Sequence, residues 1–422
     1  MGIRLISTKL FGTLMVSCTG SKWNKHMKTS KTAQNINDSL TLALTSKGKE
    51  LKANGVDVVS FTAGEPDFPT PKYICDAAKK AIDEGFTRYT ATAGIPELRK
   101  AIAEKLRREN NLDYPPEQVI VTTGGKQAIF AAIYCLCDKG DEVIFPAPYW
   151  LSYPEMAKAV GAKPVAVKTD ASNDYKITPK QLREHVTARS RLLLLNSPNN
   201  PTGAMYSEKE LRALGEVVIE KDLTIVSDEI YEKLVYDGRH VSIAALSEEL
   251  KSRTVVVNGF SKSYAMTGWR VGYAAGPLVA IQAMSRLQAQ IVSNVNSIAQ
   301  KAALAALKRD SRAVEKMRKE YARRREYIIG RMRKMGIPFP KPAGAFYVLA
   351  DVSRWYGARA GGKAITDSLT FCEACLEAAR VMLIPGKPFG ADWAVRFSFA
   401  VSMEDLKKGL DRFEKFVAGL KK

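Results

Sequence analysis

Lys262 and Arg270 stand eight residues apart in the run Ser261-Lys262-Ser263-Tyr264-Ala265-Met266-Thr267-Gly268-Trp269-Arg270, an amine and a guanidinium within one short loop. Upstream, Asp228 and Tyr231 place a carboxylate and a phenol three residues apart. The turn Ser197-Pro198-Asn199-Asn200-Pro201-Thr202-Gly203 holds a polar amide between prolines. Tyr149-Trp150 offers a ring that could stack on a planar ligand, and Gly124-Gly125-Lys126-Gln127 opens into a helical run, AIFAAIYCL. A glycine turn feeding a helix N-terminus presents free N–H groups and the positive end of the dipole, which makes an anion site. The set is therefore an anion cradle, a stacking ring, a carboxylate, a phenol, an amide, a lysine and an arginine. A planar, phosphorylated nitrogen heterocycle that forms an imine with lysine needs these groups. An aspartate beside the ring nitrogen keeps it protonated and electron-withdrawing, and the lysine makes the imine and later carries the proton.

Short β-rich runs precede these residues. QVIVTT (118–123) leads to the glycines, DEVIFP (141–146) to the tryptophan and RLLLLN (191–196) to the amide turn. LTIVSD (223–228) ends on the aspartate, TVVVNG (254–259) leads to the lysine, and KPVAVK (163–168) is a sixth run. Helical patterns separate most of them, as in GIPELRKAIAEKLRREN, where Ile95, Leu98, Ile102 and Leu106 recur at helical spacing. Near-continuous apolar strands with helical crossovers predict an α/β chain with a largely parallel sheet covered on both faces, its functional loops at the strands' carboxyl ends. From about Arg312 the pattern becomes a basic helix, a β section, GAFYVLADV (344–352), and a further helix. That change predicts a second domain that also takes in the early residues.

Asn200-Pro201-Thr202-Gly203, Ser227-Asp228-Glu229-Ile230-Tyr231 and the Ser261–Arg270 run resemble the signatures of the class I/II pyridoxal-phosphate aminotransferases, in family order, and the resemblance covers about residues 37–420. The chain is most similar to the aspartate aminotransferase branch that includes prephenate aminotransferases. The stretches that carry this are Ala63-Gly64-Glu65-Pro66-Asp67-Phe68, Arg88-Tyr89-Thr90, Gly124–Gln127, Pro148-Tyr149-Trp150-Leu151-Ser152-Tyr153-Pro154 and Gly344-Ala345-Phe346-Tyr347. The resemblance implies the fold type I of pyridoxal-phosphate-dependent transferases, a large domain with a mostly parallel mixed sheet covered by helices plus a smaller α+β domain. The implied division is a basic N-terminal extension without fixed order (1–35), a segment joining the small domain (36–65), a large cofactor-binding domain (66–311) and a small C-terminal domain (312–422).

The resemblance also implies roles. Lys262 forms the imine with pyridoxal 5′-phosphate and moves the proton. Asp228 pairs with the pyridine nitrogen, Tyr231 and Asn200 bond the ring's phenolic oxygen, and Trp150 stacks on the ring. The phosphate sits on Gly125, Lys126 and Gln127 with Arg270 as its charged partner, and Tyr89 reaches the phosphate of a neighbouring subunit, implying a homodimer with shared sites. Arg396 grips the substrate α-carboxylate as a bidentate fork, helped by the backbone at Gly64 and by Trp150 and Asn200. Lys126, with Thr41, meets a side-chain carboxylate. Tyr347 reads as packing. Many members carry serine or threonine three residues before the lysine. Here that position is Gly259, so Ser261 takes the phosphate hydroxyl's place in this reading. The function implied is ping-pong transamination between an acidic L-amino acid (aspartate or glutamate, with prephenate/arogenate as a further pair) and 2-oxoglutarate or oxaloacetate. An aromatic, alanine or kynurenine aminotransferase, or a β-lyase, would use the same framework.

The composition, 46% hydrophobic and 26% charged over 422 residues, excludes a disordered chain, a collagen-like repeat and a disulfide scaffold. Three histidines far apart exclude a histidine-built metal centre, and no stretch approaches the roughly 20 apolar residues of a spanning helix. The net charge of +20 raises the question of nucleic acid, but residues 1–35 carry +6 and the 312–334 segment +7. The second reads as a helix with Met317, Tyr321, Ile328 and Met332 on its apolar face and a solvated basic face opposite. With no aromatic-interleaved groove, a nucleic-acid partner is not expected. The six cysteines, Cys372 and Cys375 included, read as reduced and buried. That composition fits the cytoplasm, or an organelle if residues 1–30, acid-free with an apolar run at Leu10–Val16, are a transit segment.

Overall fold

The computed structural model describes residues 28–308 and 312–421, except for the side chains of residues 40–42 and 45. Most of the basic extension, with the Leu10–Val16 run, lies outside the described residues.

All six expected β runs are strands: Val119–Thr122, Glu142–Ala147, Lys163–Lys168, Ser190–Asn196, Thr224–Asp228 and Thr254–Gly259. A seventh, Gly272–Ala275, joins them, and one sheet runs in the order 119–122, 272–275, 254–259, 224–228, 190–196, 142–147, 163–168. The last five of these pair in parallel. The 272–275 strand is antiparallel to both its neighbours. Every residue of the 119–122, 142–147, 254–259 and 272–275 strands is buried. Helices cover both faces, so these four strands show no alternation toward water and read as unbroken runs, whereas the edge strand Lys163–Lys168 has exposed positions.

Six strands point one way and bring Thr122, Ala147, Asn196, Asp228 and Gly259 to one edge. The seventh starts at that edge, with Gly272 opposite both Gly259 and Thr122. Arg270 therefore arrives beside the ends of the parallel strands although its own strand runs the other way. A Cβ on Gly272 would lie 2.7 Å from the Gly124 carbonyl carbon and the Gly125 nitrogen, so only glycine admits this approach. The Pro96–Asn110 helix shows how local signals set the flanking layers. Proline stands in its first turn, Asn111 closes it at φ 55°, and Leu98, Ile102 and Leu106 are fully buried.

A second, antiparallel sheet orders Ile384–Pro385, Ala394–Ser398 and Tyr347–Asp351. Val59–Ser60 pairs with Val381–Met382 in parallel, and Val59 and Phe61 share a core with Phe397, Phe413 and Ile328. The Arg312–Lys334 helix buries Met317, Tyr321, Ile328 and Met332 there, as its spacing predicts. It also buries Arg324 and Arg325, which corrects the picture of a purely solvated basic face. Arg324 Nη1 donates to both Asp67 oxygens at 2.8 Å, and Arg331 donates to Asp411 and Glu414 at 2.6 Å. Buried guanidinium groups require such partners, so part of the helix's charge is used in intramolecular pairing. The described cysteines are free, and burial pushes the Cys372 and Cys375 thiols up, away from reactivity. No described helix is long and apolar enough to cross a membrane.

Candidate active site

The common strand edge opens into a cavity of about 570 Å³. Eleven of the expected residues line it: Gly64, Gly125, Lys126, Trp150, Asn200, Asp228, Tyr231, Ser261, Lys262, Arg270 and Arg396. Three do not. Gln127 turns back, its Oε1 accepting the Thr123 N–H at 3.2 Å. Tyr89 is 90% exposed. Thr41 lies in the Leu40–Ala53 helix, whose Ser46 and Lys49 line the cavity, but its own side chain is outside the described ones.

Lys262 donates its amine hydrogen to the Gly64 carbonyl. Desolvation pulls this amine down to about 8; Glu65 opposes the shift, and the positive charges of Arg396 and Arg270 add to it. A lysine poised there is a competent nucleophile and proton carrier near neutral pH. Asp228 is 4% exposed, and burial raises its carboxyl to about 6 against the opposing hydrogen bond from Tyr153. The Tyr153 hydroxyl donates to Asp228 Oδ2 at 2.7 Å, and the Ile230 N–H donates to Oδ1 at 3.3 Å. Tyr153 also meets the Trp150 ring edge-on at 5.5 Å, so one side chain braces both the carboxylate and the stacking ring. Sequence reasoning gave Tyr153 no role. Its only signal was its place three residues after Trp150. Because its hydrogen bond favours the ionised carboxylate, Tyr153→Phe should raise the Asp228 pKa by about one unit, read by carboxyl NMR titration of the apoprotein. An unmoved titration would show that Tyr153 does not act on Asp228.

Asn200 is fixed through its neighbours. Its N–H donates to Asn196 Oδ1 at 2.8 Å, and Asn196 Nδ2 donates to the Asp228 carbonyl at 3.0 Å. Arg396 Nη1 donates to Asn200 Oδ1 at 3.0 Å and Nη2 to the Thr62 carbonyl at 3.1 Å. The asparagine oxygen thus orients the guanidinium while its amide nitrogen remains a donor, which reconciles its two expected roles. The Arg396 guanidinium lies 4.4 Å from the centre of the Tyr347 ring, and the Tyr347 hydroxyl is 2.9 Å from that of Tyr231. Tyr347 is therefore part of the polar site as well as of the core, a correction to its reading as packing.

At the anion end, Gly124 takes φ 81° and the Gly125–Leu136 helix begins. Arg270, at φ 54°, donates from Nη1 to Thr267 O at 2.9 Å and from Nη2 to Thr123 O at 3.3 Å. A Cβ at Gly124 would fall 2.6 Å from that Nη2, so the missing side chain is the space the guanidinium occupies. Gly259 has a similar explanation. A Cβ there would meet Gly272 Cα at 3.0 Å and Ile230 Cδ1 at 3.2 Å, so a serine or threonine would require the Gly272 strand or the Ile230 side chain to give way. Ser261, buried at the cavity wall, is the hydroxyl at hand.

Lys49, Lys126, Lys262, Arg270 and Arg396 face Glu65 and Asp228 across this space, a formal surplus of three positive charges that suits anionic ligands. Glu65 accepts from Thr267 Oγ1 at 2.8 Å and was not foreseen as a wall residue. The Lys126 ammonium stands 4.8 Å from the centre of the Trp150 ring. Arg396 Nε is buried without a partner among the described residues. An orphaned guanidinium N–H, a glycine cradle beside a second arginine and a desolvated amine fit a phosphorylated carbonyl cofactor together with a carboxylate substrate.

The family described as aminotransferase class I and II matches residues 56–413. An aspartate aminotransferase of Geobacillus stearothermophilus is 48% identical over 93% of this chain and 99% of its own length. An aspartate/prephenate aminotransferase of Cereibacter sphaeroides is 46% identical over the same shares. The structure of the Thermus thermophilus aspartate aminotransferase with maleate superposes with a TM-score of 0.88 at 44% identity, covering 92% of this chain and all of that one.

Proposed function

We infer that this chain, which belongs to the class I and II aminotransferase family, uses pyridoxal 5′-phosphate to move an amino group between an acidic L-amino acid and a 2-oxo acid. It is an aminotransferase, with the α/β fold type I of that family. The observation that carries the finer reading is the meeting in one cavity of the desolvated Lys262 amine, the buried Asp228 carboxylate and the buried Arg396 guanidinium.

When bound, the cofactor supplies an electron sink and a carrier for the amino group. Asp228, held by Tyr153, would meet its ring nitrogen. Trp150 would stack on the ring, and Tyr231 and Asn200 would donate to its phenolic oxygen. The backbone N–H groups of Gly125, Lys126 and Gln127, with the Ser261 hydroxyl and the Arg270 guanidinium, would hold the phosphate, joined by Tyr89 of a second copy in a homodimer; the exposure of Tyr89 leaves it available for that contact. Arg396 binds the α-carboxylate with the Gly64 backbone close by, which aims the substrate's Cα hydrogen at the Lys262 amine. Lys262 takes that proton as a free base and returns it, a step its lowered pKa allows near neutral pH. The positive surplus and Lys126 favour a second carboxylate on the donor, with Thr41 as its helper. Aspartate and glutamate meet that requirement, and prephenate's ring carboxylate meets it equally.

The division into a cofactor-binding domain at 66–311 and a small domain at 312–422 joined by 36–65 belongs to the same reading, supported by the pairing of Val59–Ser60 with Val381–Met382. Free thiols, three of the five described ones buried, support work in a reducing compartment such as the cytoplasm.

The test is the visible spectrum of the purified protein before and after excess aspartate without oxo acid. Conversion of the cofactor band to that of its aminated form is expected. A band indifferent to aspartate would move the substrate to an apolar donor. Lys126→Ala should lower kcat/KM for aspartate by about 10- to 100-fold while leaving alanine and phenylalanine near their original values. Equal losses for all donors would remove Lys126 from specificity.

A further inference from the structure

The turn that presents Asp228 and Tyr231 to the cavity has a second face. Glu229 and Glu232, interleaved with them, do not line the cavity. Glu229 is 1% exposed, accepts from Ser227 Oγ at 3.0 Å and Ser242 Oγ at 2.6 Å, and lies 3.0 Å from His240 Nε2. Glu232 takes the Lys105 ammonium and the Asn110 Nδ2 donor at 2.7 Å. Lys105 is 3% exposed on the Pro96–Asn110 helix and also donates to Asn110 Oδ1 at 2.8 Å.

Burying two carboxylates, an ammonium and an imidazole is costly, and none of them reaches the substrate space. Glu229, Glu232 and His240 bring three ligand atoms within 4.8 Å of one another, a spacing a divalent ion could bridge. The Lys105 ammonium already supplies positive charge to Glu232, so the cluster does not call for a metal. The backbone of the turn is anchored at its two ends, where the Asp228 carbonyl accepts from Ser197 N–H at 3.2 Å, Glu229 N–H donates to Val257 O at 2.9 Å and the Leu234 carbonyl accepts from Ala345 N–H at 2.9 Å, while between them Glu232 N–H to Glu229 O at 2.9 Å and Leu234 N–H to Tyr231 O at 2.8 Å are bonds within the turn. The buried polar network ties that turn to the Pro96–Asn110 helix and to the loop at 240–242. A connected network of this kind rigidifies what it holds.

We propose that His240 and Lys105 are positioning residues that grip Glu229 and Glu232 from behind and so set where the Asp228 carboxylate and the Tyr231 phenol meet the cofactor ring. The proposal rests on the reading that the cavity holds pyridoxal 5′-phosphate.

The test uses apoprotein and loaded enzyme of wild type, His240→Ala, His240→Gln and Lys105→Met. Titrating pyridoxal 5′-phosphate into apoprotein by tryptophan fluorescence gives its affinity, and the visible absorption of the loaded enzyme against pH gives the midpoint of the cofactor's titration. His240→Ala should weaken cofactor affinity about 3- to 30-fold and displace that midpoint, and His240→Gln, which keeps a side-chain N–H, should recover most of both. Lys105→Met should move both readouts in the same direction as His240→Ala. A folded His240→Ala protein with unchanged affinity and unchanged midpoint would overturn the proposal, whatever its melting temperature. Should that variant not fold, Ser242→Ala removes one donor from Glu229 and is read by the same two measurements, with no change in either again overturning the proposal. A wild-type protein that binds no pyridoxal 5′-phosphate would overturn the functional reading instead.

Discussion

Lys262→Ala stops transamination, with turnover down by about 10⁴-fold or more, in a protein that stays folded. Two tasks meet on this amine, covalent attachment of the cofactor and transfer of the Cα proton, and alanine can do neither. Lys126, another amine on the cavity wall, stands over the Trp150 ring and is proposed for the substrate's second carboxylate. Folding should survive because Lys262 makes one hydrogen bond, to the Gly64 carbonyl, and its charged form is disfavoured by its surroundings. Removing it should change stability by no more than about 1 kcal/mol. Borohydride reduction followed by intact mass reads the first task directly: the wild type gains the cofactor's mass and the variant does not. A variant that keeps aspartate-dependent turnover would show that Lys262 is not the reacting amine.

Arg396→Ala should lower kcat/KM by about 10²–10³-fold for every amino donor alike, because all of them present the same α-carboxylate. The loss has two sources in this structure. The substrate loses its charge-assisted anchor, and the Asn200 Oδ1 and Thr62 carbonyl acceptors, buried beside the vanished guanidinium, lose their donors. Arg396→Lys should recover little, since a single ammonium cannot hold Asn200, Thr62 and a carboxylate in one plane. A donor panel settles it. A loss confined to acidic donors would move Arg396 to the side-chain end of the pocket.

Much of this site could be read along the chain because the parallel strands, apart from Lys163–Lys168, end on the residue that matters or a few positions before it. Asp228 closes its strand, and the glycine turn and the amide turn follow theirs directly. The strand Gly272–Ala275 escaped notice for a physical reason: its four residues, Gly-Tyr-Ala-Ala, carry no β-branching and three of them are small, and Gly272 enters the sheet through tight contact with Gly124 and Gly125. Tyr153 and Tyr347 were missed because their partners are 75 and 116 residues away in sequence. Arg324 and Arg325 were read as solvated because an unpaired arginine and a paired one look the same in a charge pattern. Only the fold places Asp67 and Asp237 against them.

The contacts among Gly124, Gly125, Gly259 and Gly272 decide where descent can alter this protein. At the anion end Gly272 lies main chain against main chain with Gly124 and Gly125, so a side chain there would drive the strands apart, and a side chain at Gly124 would take the space of the Arg270 guanidinium. Inherited novelty is therefore channelled to the facing wall, to Ser46 and Lys49 on the Leu40–Ala53 helix and to Lys126 and Trp150. A lineage built on this scaffold can exchange one amino donor for another over generations while the grip on the phosphate passes down unchanged.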